Sequence, residues 1–217
     1  MNELHINPIF CRQVTPFTFD QLVSLTGIFG IHSKEEYDFL LANGDLKISA
    51  LKMKSVIEIV ITSPKIEFLY NKIDYYNWIL FKLEFKPNFF NEKNYEFEIF
   101  QKQVEAARQL NFKKIIGKAK GKVKSGNKDY INYAEYGFVW SDPTKEFEDL
   151  LKSKGIFEIP SDLYEMISTS IGKSTWNAIG EEWLGEFALE DNSPSMHRFN
   201  KYCSKYNRES GTLKLRF

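Results

Sequence analysis

The sequence predicts a mixed α/β (α+β) fold, a mostly antiparallel central sheet flanked by helices. Three observations carry this reading. Between 46 and 85, short runs of apolar and β-branched residues, several of them alternating, follow one another through brief connections, as in a strand meander. From 95 to 110 the spacing changes to the i, i+3, i+4 pattern of an amphipathic helix, and a branched run at 112–117 follows it. Beyond Pro143 the signals are mainly helical. Helix, strands, helix, strand and helix in succession belong to α/β or α+β domains. The expected organisation is an N-terminal extended segment with helices at 1–45, a core at 46–140, and a helical extension at 141–217 that completes the domain.

Residues 1–17 read as extended, punctuated by Pro8 and Pro16. A helix over 19–29 follows Thr18. Ser33 with Glu36 three residues on has the form of a capping box. It opens a helix over 34–43 that carries Tyr37, Leu40 and Leu41 and ends at Gly44. Strands are expected at 46–53, 56–62, 65–70 and 76–85. In the last of these, Ile79, Phe81, Leu83 and Phe85 lie opposite Trp78, Leu80, Lys82 and Glu84.

The helix over 95–110 places Phe97, Phe100, Val104, Ala107 and Leu110 on one face and turns Glu98, Lys102, Glu105 and Gln109 outward. Asn111 suits its C-terminal cap. After the strand at 112–117 comes a basic, glycine-bearing loop from Lys118 to Lys128, then aromatics at helical spacing from Tyr130 to Gly137. Helices are expected at 146–154, at 162–169 after Ser161, and at 173–179, with a strand at 183–189. Ser193 and Pro194 open a last helix with Met196, Phe199, Tyr202 and Cys203 on one face. The tail at 212–217 alternates as a strand does.

Composition narrows the function. Lys plus Arg and Asp plus Glu are 29 each, so no global nucleic-acid footprint is expected. Aromatic residues make up 16% of the chain, which calls for a packed interior or a large interface. The longest apolar runs, at 56–61 and 78–81, are too short to span a bilayer, and the first residues lack the form of a signal peptide. A soluble protein of the cell interior, or one released by lysis, is expected. Cys11 and Cys203 stand alone, as buried or free thiols, without metal-ligand spacing.

Candidate chemical groups are sparse. His5, His32 and His197 fall in unrelated contexts, and no nucleophile–base grouping can be assembled. Glu84 is the one carboxylate placed to act as a base, and it is expected to face solvent. Tyr130, Tyr133 and Tyr136 with Trp140 could form a pocket wall or supply a tyrosine acid, while aromatics at this spacing equally suit a core or an interface patch. The basic run from Lys118 to Lys128 could hold phosphate or RNA weakly. Without interleaved aromatics it reads as a solvated loop. Before the helix at 95–110, where amides favour an anion, the residues run from Asn91 to Glu96 with no glycine, and Glu92 and Glu96 complement the helix dipole instead.

Residues 97–115, then Ala119-Lys-Gly and Tyr130-Ile-Asn-Tyr-Ala-Glu-Tyr-Gly-Phe, resemble the central part of a GNAT acetyltransferase-like domain of the kind encoded by bacteriophages and mobile elements. Trp176, Gly180, Phe187-Ala-Leu and the helix from Ser193 to Tyr202 extend the resemblance, which covers roughly 45–205. Ala188 and Phe199 depart from it. The family's R/Q-x-x-G-x-G/A turn, between its fourth strand and third helix, holds the acetyl-CoA pyrophosphate. Asn91, Asn94 and Glu96 stand where its arginine and two glycines would be. Lost glycines put Cβ atoms where phosphate should approach, and Glu96 adds a like charge.

The resemblance therefore implies a GNAT-like fold without a catalytic role or cofactor, a pseudoenzyme. It would serve as a structural or assembly protein of a bacteriophage particle, in the virion or host cytoplasm. Its partners would be copies of itself or other virion proteins, with no membrane involved. The alternative is a divergent N-acetyltransferase, with Lys93 compensating at the acetyl-CoA turn and Glu84, Tyr133 or Tyr136 in catalysis. A third reading is a host-interaction module that uses the basic loop.

Overall fold

The computed structural model describes residues 16–75, 78–86, 95–119, 129–140, 145–153, 155, 162–180 and 182–209. The stretch 1–15 with His5 and Cys11, the turn residues Asn91, Lys93 and Asn94, the loop 120–128, Ser161 and the tail 212–217 lie outside them. The fold is mixed α+β. Seven strands form a mostly antiparallel open sheet in the order β1-β2-β3-β4-β5-β7-β6. The chain divides into two compact units, 1–115 and 116–217.

In the first unit, α1 (Phe19–Ser24) starts on Thr18, whose hydroxyl accepts from Gln21 N while Gln21 Oε1 accepts from Thr18 N. This reciprocal box satisfies two otherwise orphaned donors. A 3₁₀ turn (Ile28–Gly30) follows where the sequence predicts a helix running on to 29. The break comes at Gly27, whose φ of 73° no continuing helix allows. Helix α2 (Lys34–Ala42) starts on Ser33, which accepts from Glu36 N. Only half of the expected box forms, because the Glu36 carboxylate is taken by His32 and Lys65.

Strands β1 (Lys47–Met53), β2 (Val56–Thr62), β3 (Ile66–Asp74) and β4 (Trp78–Phe85) make the expected antiparallel meander. Period-2 alternation sends Ile57, Ile59, Ile61, Leu69, Ile73, Ile79 and Phe81 to one face, all 2% exposed or less. β3 runs four residues past the predicted end. The cause is Asn71, which breaks the apolar pattern yet occupies the buried face between Ile59 and Phe81.

Helix α3 (Tyr95–Gln109) covers that face. Phe97, Ile99, Phe100 and Ala107 are fully buried, and the Phe100 ring lies 5.9 Å from Phe81. Burying each large apolar side chain stabilises the unit by roughly 1.5–3 kcal/mol. The helix ends at Asn111, with φ 59°, as its cap position requires. Its other side meets the 3₁₀ turn backbone to backbone. A Cβ on Gly27 would stand 2.2 Å from Ile99 O, and one on Gly30 2.4 Å from Glu98 O.

Strand β5 (Lys114–Ala119) begins two residues later than the branched run suggests and crosses the division between the units. In the second unit come α4 (Asp129–Tyr136), β6 (Val139–Trp140), α5 (Lys145–Ser153), α6 (Leu163–Ser168), α7 (Ser170–Ile179), β7 (Trp183–Ala188) and α8 (Pro194–Glu209). The two-residue β6, antiparallel to β7, is absent from the sequence expectation, being too short to show a period. Helix α6 starts on Asp162, which accepts from Tyr164 N at 2.9 Å and so stands as the cap, one residue past the expected Ser161. Helix α8 starts as predicted. Ser193 Oγ accepts from Met196 N and donates to Ala188 O, tying β7 to α8.

Two glycines with the same backbone sign separate strain from collision. Gly44 has φ 76° and open space within 4 Å of the position a Cβ would take, whereas Gly27 has φ 73° and the Ile99 carbonyl in the way. Gly44→Ala should cost about 1 kcal/mol from left-handed strain alone. Gly27→Ala should cost at least about 2 kcal/mol more, from forced displacement of α3. Urea unfolding of the two variants checks the difference.

Candidate functional site

The residues singled out from sequence fall into separate settings. Glu84 lies on the open face of the meander, exposed and across from Phe68. That face carries the stacked Phe68 and Tyr70 rings, 5.9 Å apart, with Lys82 Nζ 5.8 Å from the Tyr70 ring. Burial, then a bond and a charge from Glu58, push the Tyr70 hydroxyl up to about 12. Glu96 and Glu98 sit in the first turn of α3, where negative charge complements the helix dipole.

Tyr133 and Tyr136 share α4 in the second unit and are 4% and 1% exposed. The Tyr133 ring lies 4.9 Å from Phe138, and Tyr136 meets Tyr202 edge-on at 5.0 Å. Gly117 in β5 passes so close beneath Tyr133 that a Cβ there would come within 2.6 Å of the ring. Of the settings left open by sequence, Tyr133 and Tyr136 occupy the core. Lys118 is paired with Glu182 at 3.0 Å. Cys203 is a half-buried thiol outside any disulfide.

A polar cluster in the first unit escapes sequence reading. His32, 1% exposed, places Nε2 3.1 Å from Ser63 Oγ and Nδ1 3.1 Å from Glu36 Oε1, the latter without the alignment of a full hydrogen bond. Lys65 Nζ closes the group at 2.9 Å from Glu36 and donates to Ile31 O at 3.1 Å. The residue types are those of a serine–histidine–acid relay. The serine is spent elsewhere: Ser63 is 2% exposed, and its Oγ accepts from Ile66 N at 3.1 Å and Lys65 N at 3.3 Å. It caps the β2–β3 turn, so the cluster fastens that turn to the start of α2. The partners lie 31 residues apart, with no local spacing to reveal them.

The second unit holds a cleft of about 520 Å³, a size suited to a small ligand. Tyr164, Ile167 and Tyr202 supply apolar wall, and Glu135, Arg198 and Lys201 supply charge. Its frame follows from one residue. Asp162 caps α6 and also pairs with Arg198 on α8, and the Arg198 guanidinium lies 4.4 Å from the centre of the Tyr164 ring. A cation over an aromatic face adds attraction. Glu135 is held by Lys173 at 3.6 Å. Lys201 Nζ reaches Tyr164 Oη at 3.5 Å. The sequence signal for this cleft is the spacing of Arg198, Lys201 and Lys205 at i, i+3 and i+7 of one helix.

No family model, curated protein or solved structure matches this chain. Among the described residues no helix is long and apolar enough to cross a membrane.

The polar cluster gives the fold an acid-sensitive point. Burial lowers the His32 pKa below 6.5, outweighing the adjacent Glu36 carboxylate that raises it. Burial raises Glu36, but its contacts with Lys65 and His32 outweigh it and hold the carboxyl below 4.5. Each group takes up protons more readily when unfolded, so stability falls with falling pH. The His32 contribution is complete above about 6.5 and declines below it, and that of Glu36 declines below about 4.5. In urea unfolding from pH 7 to 5, His32→Gln should flatten the decline seen in the parent chain. An unchanged slope would contradict this assignment.

Proposed function

We propose that the chain is a non-catalytic structural or assembly protein of a bacteriophage particle, built on a GNAT-like fold and acting through protein–protein contacts in an oligomer. The observation that carries the contact role is the outer strand of the meander. Among the described residues β1 has a single strand neighbour, β2, and it exposes Leu51 and Met53 at 47% and 45%. An open edge bearing large apolar side chains favours association. Phe39 on α2, 65% exposed, adds apolar surface to the same unit.

The core packing of Tyr133 and Tyr136 favours this reading over the acetyltransferase alternative, two of whose three candidate catalytic residues they are. The order of elements keeps the comparison with the family open. Among the described residues a strand, β4, is followed in the element order by a helix, α3, as at the family's acetyl-CoA turn, and the helix here begins with Tyr95, Glu96 and Glu98 in its first turn. The bacteriophage setting comes from the resemblance of 97–115, 130–138 and 176–202.

Light scattering of the purified chain should find a defined oligomer, and calorimetry should find no binding of acetyl-CoA. Leu51→Lys combined with Met53→Lys should raise the dissociation constant of the oligomer at least tenfold while leaving the melting temperature nearly unchanged. A monomer that binds acetyl-CoA at micromolar concentration would overturn the proposal in favour of an N-acetyltransferase.

A further inference from the structure

We infer that the cleft between α4, α6 and α8 is a binding site for a small molecule that joins an anionic group to a flat apolar body. The inference is independent of the assembly role and rests on how the charges around the cleft are spent. Arg198 is matched through Nη2 by Asp162, its buried Nη1 being left without a partner among the described residues, and Glu135 is matched by Lys173. Lys201 differs. Its ammonium is exposed, and its contact is with the neutral hydroxyl of Tyr164 at 3.5 Å, longer than a strong hydrogen bond.

The Tyr164 hydroxyl accepts in that contact, which leaves its own proton free to donate. An ammonium and a phenol on adjoining helices thus converge on one volume, where an anionic oxygen can accept from both. Charge-assisted bonds of this kind are about twice as strong as neutral ones. Lys205, one turn beyond Lys201, also lines the cleft. Carboxylate is present too: Glu135 faces the same space, and its pairing with Lys173 reduces its repulsion of an incoming anion.

The remaining wall fixes the rest of the ligand. Ile167, Tyr164 and Tyr202 line the cleft beside the donors and supply apolar and aromatic surface. Ser168 uses its proton on Glu165 O at 2.6 Å, so toward a ligand it can only accept. A fully hydrated ion such as free phosphate would leave the apolar wall unused. An uncharged aromatic would leave Lys201 and Tyr164 without gain. A phosphate or carboxylate borne on an aromatic or similarly flat group uses both, and a cleft of about 520 Å³ accommodates one.

The test titrates the full chain with phenyl phosphate and with benzoate, following tyrosine and tryptophan fluorescence and backbone amide shifts. Inorganic phosphate and phenol serve as half-ligands. Saturable binding of phenyl phosphate or benzoate is expected, at least tenfold tighter than either half-ligand and weakening as salt rises. The stronger of the two names the anion. Lys201→Gln should weaken binding about tenfold and reduce its salt dependence, Lys201→Arg should restore most of it, and Tyr164→Phe should cost less. Lys201 is exposed, so unchanged melting temperatures in its variants separate lost binding from lost folding. Absence of saturation by both aromatic anions up to millimolar concentration would overturn the inference, as would binding that Lys201→Gln leaves unchanged.

Discussion

One buried amide governs the first unit. Gln103, in the middle of α3 and fully buried, donates from Nε2 to Leu25 O at 2.8 Å and to Asn71 Oδ1 at 2.7 Å. Three elements distant in sequence meet at that nitrogen: the end of α1, the centre of α3 and the third strand. An apolar core fixes composition more strongly than register, because one aliphatic contact substitutes readily for another. A polar group in that core must find its partner or lose its hydration without return, at about 1–3 kcal/mol per unsatisfied atom. Gln103 and Asn71 therefore permit few alternative placements of α3 on the sheet. Around them the glycine contacts at Gly27 and Gly30 bring backbones together without an intervening side chain.

The second unit reaches order by a different route. Phe138 lies 5.6 Å from Phe187, which meets Phe199 edge-on at 5.7 Å, and Trp140 stands between Trp176 and Trp183 at 5.5 and 6.5 Å. Aromatic rings bury much area and prefer tilted or edge-on contacts, so they lock short elements that hydrogen bonding alone would leave marginal. The two-residue β6 is held in this way, through Phe138 just before it and Trp140 within it. Aromatic richness thus serves a packed interior in this unit, while the exposed apolar side chains of the first unit, Phe39, Leu51 and Met53, remain available for contacts with other molecules.

Much of the architecture is legible in the sequence because its causes are local. Helix α3 announces itself through the spacing of Phe97, Phe100, Val104 and Ala107, β2 through its branched run, and α8 through Ser193 and Pro194. What cannot be read there depends on partners far away in the chain. Asn71 breaks an apolar pattern and so shortens the expected strand, although Gln103, 32 residues on, supplies a donor to its buried Oδ1. Glu36 satisfies a capping rule by its spacing, yet His32 and Lys65 compete for its carboxylate. Among the candidate site residues, exposure of Glu84 follows from strand alternation. The packing of Tyr133 against Gly117 and Phe138 needs tertiary structure, as does the convergence of Tyr164 and Lys201, which lie 37 residues apart on different helices.

The meander and α3 form one frame specified by the Gln103 junction, and the surfaces available for function are those this frame leaves uncovered. A double-mutant cycle on Gln103→Leu and Asn71→Leu, read by urea unfolding, addresses that specification most directly. Each single change strands a buried polar partner and should cost about 2–3 kcal/mol, whereas the pair removes both amides together. The double variant should therefore cost at least about 1 kcal/mol less than the sum of the singles. Strict additivity would contradict the junction, and α3 would then be held by its apolar face alone.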